Sequence, residues 1–471
     1  MKVKILEEPK LEFGNGTHIC PKAGIETLGV YDTHDSLRQT DLRLGIVGRG
    51  EGIDLMDVWL ETCQRGFPGK KSKSPIPNLF RSFMGFSEQS GFFSKFVYGT
   101  PFTRTLQRTE LNKIMKLSDR SERVTECVDL YFDQIRFIVE NRNVDVVLCV
   151  IPDEIYDSLT KEESSNDKKK GKEIEYNFRR LLKAKSMHLK VPLQLIVEKN
   201  LVIGKGGQDK QDDATRAWNF CTALYYKGNK TIPWRLLEES HKPRTCYVGI
   251  SFYKSRDGST VSTSLAQVFD EFGHGVILRG SPVALDKEDK RPFMSEAQAY
   301  DLLSSAIDEY HHALMQMPAR IVIHKTSNFK PSEVAGFTAA LDDRHIRLKD
   351  FATVSNAPVR LFSYGNYPPP RGTLLNLQED MGVLYTRGFV DFYKTYPGAY
   401  VPAPLRVQLY EYDYSLEEIC EEILGLSKMN WNNTQLDGKF PITIECARRV
   451  GDIMKYVDVH ERPQISYSYY M

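Results

Sequence analysis

The sequence predicts an α/β protein made of two sheets in succession, and three observations predict it. RLGIVGRGEG (residues 43–52) is an apolar strand running into a glycine-rich turn, with a helical stretch from Asp54 to Gln64 behind it. VDVVLCVIP (residues 144–152) is a continuous apolar run, the pattern of a parallel strand covered on both faces. After residue 246 the order becomes CYVGISFYK, the turn Asp257-Gly258, STVSTSLAQVF, GVILRG, a long helix from Ser295 to Met317, and ARIVIHK. Three antiparallel strands, a helix and a further strand is the order of an RNase H-like fold.

The remaining elements follow from local pattern. LEF before Gly14-Asn15-Gly16 reads as a strand and turn. Residues 66–120 are proline-punctuated and loop-rich, and 120–142 form an amphipathic helix. KEESSNDKKKGKE (residues 161–173) reads as a surface loop, with Lys168, Lys169, Lys170 and Lys172 as a phosphate-contact alternative. A helix from about Glu173 to Leu189 stops at Pro192 and leads into the strand LQLIV. Beyond the loop Gly204 to Gln211 a helix runs from Asp213 to Lys227 and ends at Gly228. Residues 231–246 mark the boundary between two units, 1–240 and 241–471, and two helices, Ser415 to Leu426 and Pro441 to Tyr456, close the chain.

Composition excludes several classes. The 471 residues are 41% hydrophobic and 27% charged, the proportions of a folded chain of two or three domains. Lys plus Arg is 63 against 62 for Asp plus Glu, which rules out coating nucleic acid by bulk charge but leaves local cationic channels open. No apolar run reaches membrane-spanning length, and MKVKILEEPK has no signal-peptide core, so no membrane role and a cytoplasmic location are expected. None of the eight cysteines forms a C-x-x-C, which points to a reducing compartment and no zinc.

Three constellations could carry chemistry. Gly45 to Gly52 follows a strand and precedes a helix, yet its G-x-G-x-G spacing lacks the Lys-Ser/Thr of a phosphate loop. A tight packing turn is therefore the favoured reading, and a mononucleotide cradle the alternative. In NFRRLLKAKSMHL, Arg179 and Lys183 stand four apart on the helix face opposite Phe178 and Leu182, where they could grip one anion. Gln194 follows on the next strand, and Lys227 closes the helix AWNFCTALYYK. In the RNase H-like half, two-metal catalysis needs converging carboxylates. Here the first strand offers Ser251, and the later one offers Thr326 beside the positive charge of Lys325. His311-His312 lack zincin spacing and read as surface.

Taken in order, these segments resemble a short prokaryotic Argonaute, a chain with only MID and PIWI domains. The resemblance spans the whole length and rests on LEFGNG, LKAKSMHLKVPLQLI, NFCTALYYKGNKTIPW, PAPLRVQLY, LSKMNWNN and FPITIECARRVGDIMK. It implies a Rossmann-like MID domain followed by an RNase H-like PIWI domain. It also implies that Arg179, Lys183, Gln194 and Lys227 anchor the 5′ phosphate of a guide, with Arg179 standing where the family often has Tyr or His. Met471, through a C-terminal carboxylate, would share a Mg²⁺ with that phosphate. Ser251, Glu296, Thr326 and Leu409 fall at the four positions of the slicing tetrad, which implies a PIWI domain that does not cut. The partners implied are a guide RNA, single-stranded target DNA and a second protein carrying an APAZ region fused to an effector. That effector would be a sirtuin-like or TIR NAD⁺ hydrolase, which the heterodimer switches on against plasmids or phage. Its oligomeric state on activation is left open. The alternatives are a nuclease effector on the partner, or an active slicer using Asp257, Glu296 and Asp301 as metal ligands.

Overall fold

The computed structural model describes residues 2–70, 76–160, 175–204, 211–237, 241–269, 275–287, 291–362, 368–398, 400–458, 461 and 463–471. The 161–173 segment with its lysine cluster, and most of the loop after Gly204, lie outside the described residues.

Both predicted sheets form. The first is parallel and runs Lys95–Val97, Asp41–Gly48, Val146–Ile151, Leu193–Val197, with Thr103–Thr105 pairing the second half of Asp41–Gly48. Val146–Ile151 is buried at every residue, and its side chains alternate between two cores. Val146, Leu148 and Val150 meet the helices Gly50–Arg65 and Asp213–Asn229. Val147, Cys149 and Ile151 meet Arg120–Asn141 and Phe178–Ser186. The unbroken apolar run is thus the signature of a strand with helices on both faces.

The second sheet has nine strands in the order Lys2–Ile5, Thr373–Asn376, Met381–Leu384, Leu405–Tyr412, Leu348–Asn356, Arg320–Lys325, Thr245–Lys254, Val261–Phe269, Gly275–Pro282. The antiparallel run 245–282 and the parallel return of Arg320–Lys325 beside Thr245–Lys254 reproduce the predicted order. Glu296–Leu314, begun by a Ser295–Gln298 capping box, and Pro331–Asp342 cover one face. Leu416–Leu426, capped by Ser415 and Glu418, and Ile442–Met454 cover the other. Helix Ile442–Met454 lies so close to the sheet that a Cβ on Gly249 would stand 2.2 Å from the Thr443 carbonyl oxygen. Only glycine permits that approach.

Two links escape a reading by halves. The first strand of the chain, Lys2–Ile5, hydrogen-bonds to Thr373–Asn376 and so belongs to the nine-stranded sheet. The last residues, Tyr467 to Met471, pack into the core that holds Trp218 and Tyr226. Residues 66–120, read as loop, also contain the helix Arg108–Met115, whose Leu111 and Ile114 dock on Arg120–Asn141.

Candidate nucleic-acid interface

Three of the predicted anion-binding residues, Lys183, Gln194 and Lys227, can be followed from their elements. Asn177 caps the helix Phe178–Ser186 by accepting from the Arg180 amide. Phe178 and Leu182 turn into the core, so Lys183 emerges on another side. Leu193 and Leu195 face the same core, which turns Gln194 toward the helix Asp213–Asn229. Lys227 sits in the last turn of that helix and is 1% exposed.

These side chains converge. The Lys227 ammonium donates to Gln194 Oε1 at 2.6 Å, to the Leu193 carbonyl at 3.1 Å and to the Met471 main-chain oxygen at 3.4 Å. Lys183 donates to the same Met471 oxygen. Arg449, on helix Ile442–Met454, presses its charge on both lysines. Burial first, then Arg449 and Arg179, lowers the Lys183 pKa to about 7. Burial, then Lys183 and Arg449, holds Lys227 well below the usual lysine range. Among the described residues, no carboxylate side chain offsets either ammonium. Buried like charges without a counterion are costly, and an arriving anion removes that cost.

Arg179 adds its charge to Lys183 from the edge of the cluster. It is exposed, with its guanidinium 5.1 Å from the centre of the Tyr156 ring, while Lys199 stands 5.6 Å from that ring. Sequence reasoning missed Arg449; the Arg448-Arg449 pair on an otherwise apolar helix face was the available signal. The expected magnesium would take its oxygens from Met471 and from the guide's phosphate, and the Met471 oxygen is at the cluster. The oxygens there, Met471 O, Gln194 Oε1 and Leu193 O, accept lysine hydrogen bonds, and Glu445 pairs with Arg449 at 3.0 Å.

The glycine-rich turn holds a carboxylate of its own. Arg49 grips Glu198 at 2.7 and 2.5 Å, and Glu198 Oε1 would lie 2.7 Å from a Cβ on Gly52. Gly45 faces Ile138 and Val147, and Gly48 faces Val150. The glycines serve packing, and a phosphate here would meet Glu198.

In the second sheet Ser251 and Thr326 are neighbours, since the Thr326 amide donates to the Ile250 carbonyl. Thr326 opens onto a groove of about 560 Å³ that Ser327, Ser355, Asn356 and Arg406 also line. Glu296 is the exposed first residue of its helix. Leu409 points into the hydrophobic core, and its strand turns Arg406 to the groove instead. The Lys325 charge expected beside Thr326 is consumed in a buried pair with Glu333, at 2.6 and 2.5 Å. Asp257 is tied to Ser255 and Ser259 in its turn, and Asp301 is exposed on its helix. Among the described residues no group of three or more His, Cys, Asp or Glu could hold a metal ion. Nor is any described helix long and apolar enough to cross a membrane.

No family model and no curated protein matches the sequence. Solved structures do match in fold. Clostridium butyricum Argonaute, bound to a guide DNA (5′ deoxycytidine) and a 19-mer target DNA, is 17% identical with a TM-score of 0.69 over 97% of this chain and 53% of its own. Marinitoga piezophila Argonaute in complex with 5′ OH guide RNA gives 14% and 0.57 over 100% and 59%. A. aeolicus Argonaute gives 16% and 0.59 over 98% and 54%. This chain therefore has the α/β fold of Argonautes along nearly all of its length, and it spans a little over half of theirs.

Proposed function

We propose that this chain binds a guide strand by its 5′ end and uses it to recognise a complementary target without cutting it. The observation that carries the reading is the pair of lysines, Lys183 and Lys227, sharing the Met471 oxygen beside Arg449, which Glu445 pairs at 3.0 Å, with no carboxylate side chain among the described residues to offset the two ammonium groups. Such a cluster favours a compact, doubly charged anion, and a terminal phosphate monoester has that chemistry. Its fold neighbours include Argonautes solved with a guide DNA and with a guide RNA, which supports the strand as the ligand. The lack of cutting is supported by a groove where hydroxyls and guanidinium stand in place of converging carboxylates.

The finer reading takes guide RNA as the bound strand and invading DNA as the target. A second protein, with an APAZ region and an NAD⁺-hydrolysing effector of sirtuin-like or TIR type, would supply the enzymatic output. The test is to purify the chain with its co-expressed genomic neighbour and sequence the bound nucleic acid. Short 5′-phosphorylated strands are expected, and Lys183→Ala with Lys227→Ala should abolish their retention. Recovery of none from the parent would refute the reading. Incubation with guide, matched target and Mg²⁺ or Mn²⁺ should yield no product; guide-directed product lost in Glu296→Ala would make the chain a nuclease.

A further inference from the structure

The two helices that bring Lys183 and Arg449 together face each other along a ladder of charges. Phe178–Ser186 carries Arg180 and Lys183, and Ile442–Met454 carries Arg449 and Asp452, with Lys455 one residue past its end. Residues three apart share a helix face, so each helix presents its two charges one turn apart. The rungs differ in kind. Arg180 Nη2 donates to Asp452 Oδ2 at 2.7 Å, and the Lys455 ammonium donates to Glu175 Oε2 at 2.5 Å. Arg180 Nη1 also donates to Glu175 Oε1 at 2.9 Å, which joins these two opposite-charge rungs. One turn further stand Lys183 and Arg449. Burial and then the Arg449 charge depress the Lys183 ammonium, so this rung is repulsive. Glu445 pairs with Arg449 at 3.0 Å from within the same helix and does not tie it to Phe178–Ser186.

A third segment joins the ladder at Glu175. The Glu175 amide donates to the Arg256 carbonyl at 3.1 Å, and Arg256 Nε donates to the Glu175 carbonyl at 3.2 Å. The Arg256 guanidinium stands 4.7 Å from the centre of the Tyr176 ring and 5.1 Å from that of Tyr456. The Tyr456 hydroxyl donates to Glu175 Oε1 at 3.1 Å. Arg256 lies between the strands Thr245–Lys254 and Val261–Phe269, so a turn of the second sheet pins the start of one helix against the end of the other. Burial raises the Glu175 pKa, but Lys455, Tyr456 and Arg180 outweigh it and hold the carboxyl below its usual value, which keeps it charged at neutral pH. Single ion pairs near the surface are weak. Pairs that share partners with a hydroxyl and a stacked guanidinium act together.

We propose that Glu175, Arg180, Asp452 and Lys455 form a clasp that holds Lys183 and Arg449 close enough to grip one terminal phosphate together. They are positioning residues, acting through the separation of those two cations and not by touching the ligand. The proposal rests on the guide-binding reading and adds what keeps mutually repelling groups in place while the site is empty.

Two measurements on the full chain test it. The Asp452 side chain is 47% exposed, so Asp452→Asn removes a charge without opening the core. The first measurement uses no strand: a double-mutant cycle at about pH 6, where Lys183, with its pKa lowered to about 7, is protonated. Asp452→Asn should lower the urea midpoint of the parent about twice as far as that of Lys183→Met. Equal shifts would overturn the clasp. The second compares two strands of guide length that differ only in a 5′ phosphate or a 5′ hydroxyl. Asp452→Asn should cut the preference for the phosphorylated end about threefold, and Asp452→Asn with Lys455→Met about tenfold. Asp452→Glu should keep it. A role in stability alone leaves the ratio of the two affinities unchanged, so an unchanged ratio in the double variant would overturn the proposal. A loss in Asp452→Glu equal to that in Asp452→Asn would do the same, since the charge would then be irrelevant. A parent with no preference for the phosphorylated strand would instead count against the anchor, and the strand-free cycle would still decide the clasp.

Discussion

Replacing Lys183 by Met distinguishes a site built for an anion from a tether for the last residues. The Lys183 pKa falls from 10.5 to about 7, through burial first and then Arg449 and Arg179. A fall of that size sets a ceiling of about 5 kcal/mol on the penalty against the protonated form. The side chain is half-buried, and solvent screening brings the working figure to about 2–3 kcal/mol. Against it stands one lost hydrogen bond to the Met471 oxygen, worth about 1 kcal/mol. That oxygen keeps Lys227 as a donor at 3.4 Å. Unliganded Lys183→Met should therefore be about 1–2 kcal/mol more stable than the parent at acidic pH.

The pH dependence gives the sign a second check. The folded pKa lies below the unfolded value, so the unfolded chain binds more protons between about 7 and 10.5. The penalty is complete below that window and fades as pH rises through it. The advantage of Lys183→Met should shrink accordingly, vanish within the window and give way at its upper end to the loss of about 1 kcal/mol from the missing hydrogen bond. Thermal unfolding across this range measures it, with and without a 5′-phosphorylated strand. Strand at a hundred times its Kd should stabilise the parent by about 2.7 kcal/mol and the variant by far less. A variant less stable than the parent at every pH would refute the reasoning, as would one that the strand protects equally. Lys183 would then be a structural tether.

Three further outcomes follow from buried charge and close packing. Lys325→Met strands the Glu333 carboxylate in the core; urea unfolding should show a loss of about 3–5 kcal/mol, largely recovered in Lys325→Met with Glu333→Leu. His324 is fully buried, bonded to Thr443 at 3.0 Å, and its pKa is pushed from 6.5 down to about 3 by burial and then Arg320. The parent should therefore lose stability as pH falls through that interval, and His324→Gln should flatten this acid limb; an unchanged slope assigns acid sensitivity to other groups. Gly52→Ala would set a methyl 2.7 Å from Glu198 Oε1, which Arg49 holds in place. A drop in thermal stability equivalent to about 1–3 kcal/mol is expected, and no change would show that the turn has slack.

What could be read from the sequence was what regular elements fix. Lys183 lies off a helix face marked by Phe178 and Leu182, Gln194 is the polar residue of an alternating strand, and Lys227 stands in a last helical turn. Each position follows from a period of 3.6 or 2, and parallel strand order brings the three together. Arg449 could not be placed that way, because its approach depends on how helix Ile442–Met454 packs over Gly249. Leu409 illustrates a sharper limit. In Leu405–Tyr412, Leu405, Val407 and Leu409 fill the core, and Arg406 on the other face lines the groove. An odd offset along a strand moves a position to the other side of the sheet. The Lys325 charge was misjudged for a related reason: its neutralisation by Glu333 belongs to the docking of helix Pro331–Asp342, which no strand motif contains.

The same geometry shows how a chain with so little net charge gathers cations at one place. Exposed cations spread over a surface are screened within about 8 Å at physiological ionic strength and hold any anion weakly. Here Lys227 is buried beside half-buried Lys183, and crowding and burial lower the pKa of both as well as that of Lys439. Charge held in that way raises the free energy of the empty protein, and the ligand that relieves it is favoured over solvent. Specificity for a chain end then follows from the cluster, which can satisfy a doubly charged terminal group more fully than a singly charged internal one. Helix Ile442–Met454 carries Arg449 toward the cluster and Arg448 toward Phe440, so one element positions both cations. A substitution that shifts this helix on Gly249, such as Gly249→Ala, should therefore move Arg449 away from the lysines and weaken binding of a 5′-phosphorylated strand, as loss of Lys183 should; unchanged affinity in a binding titration would refute the link.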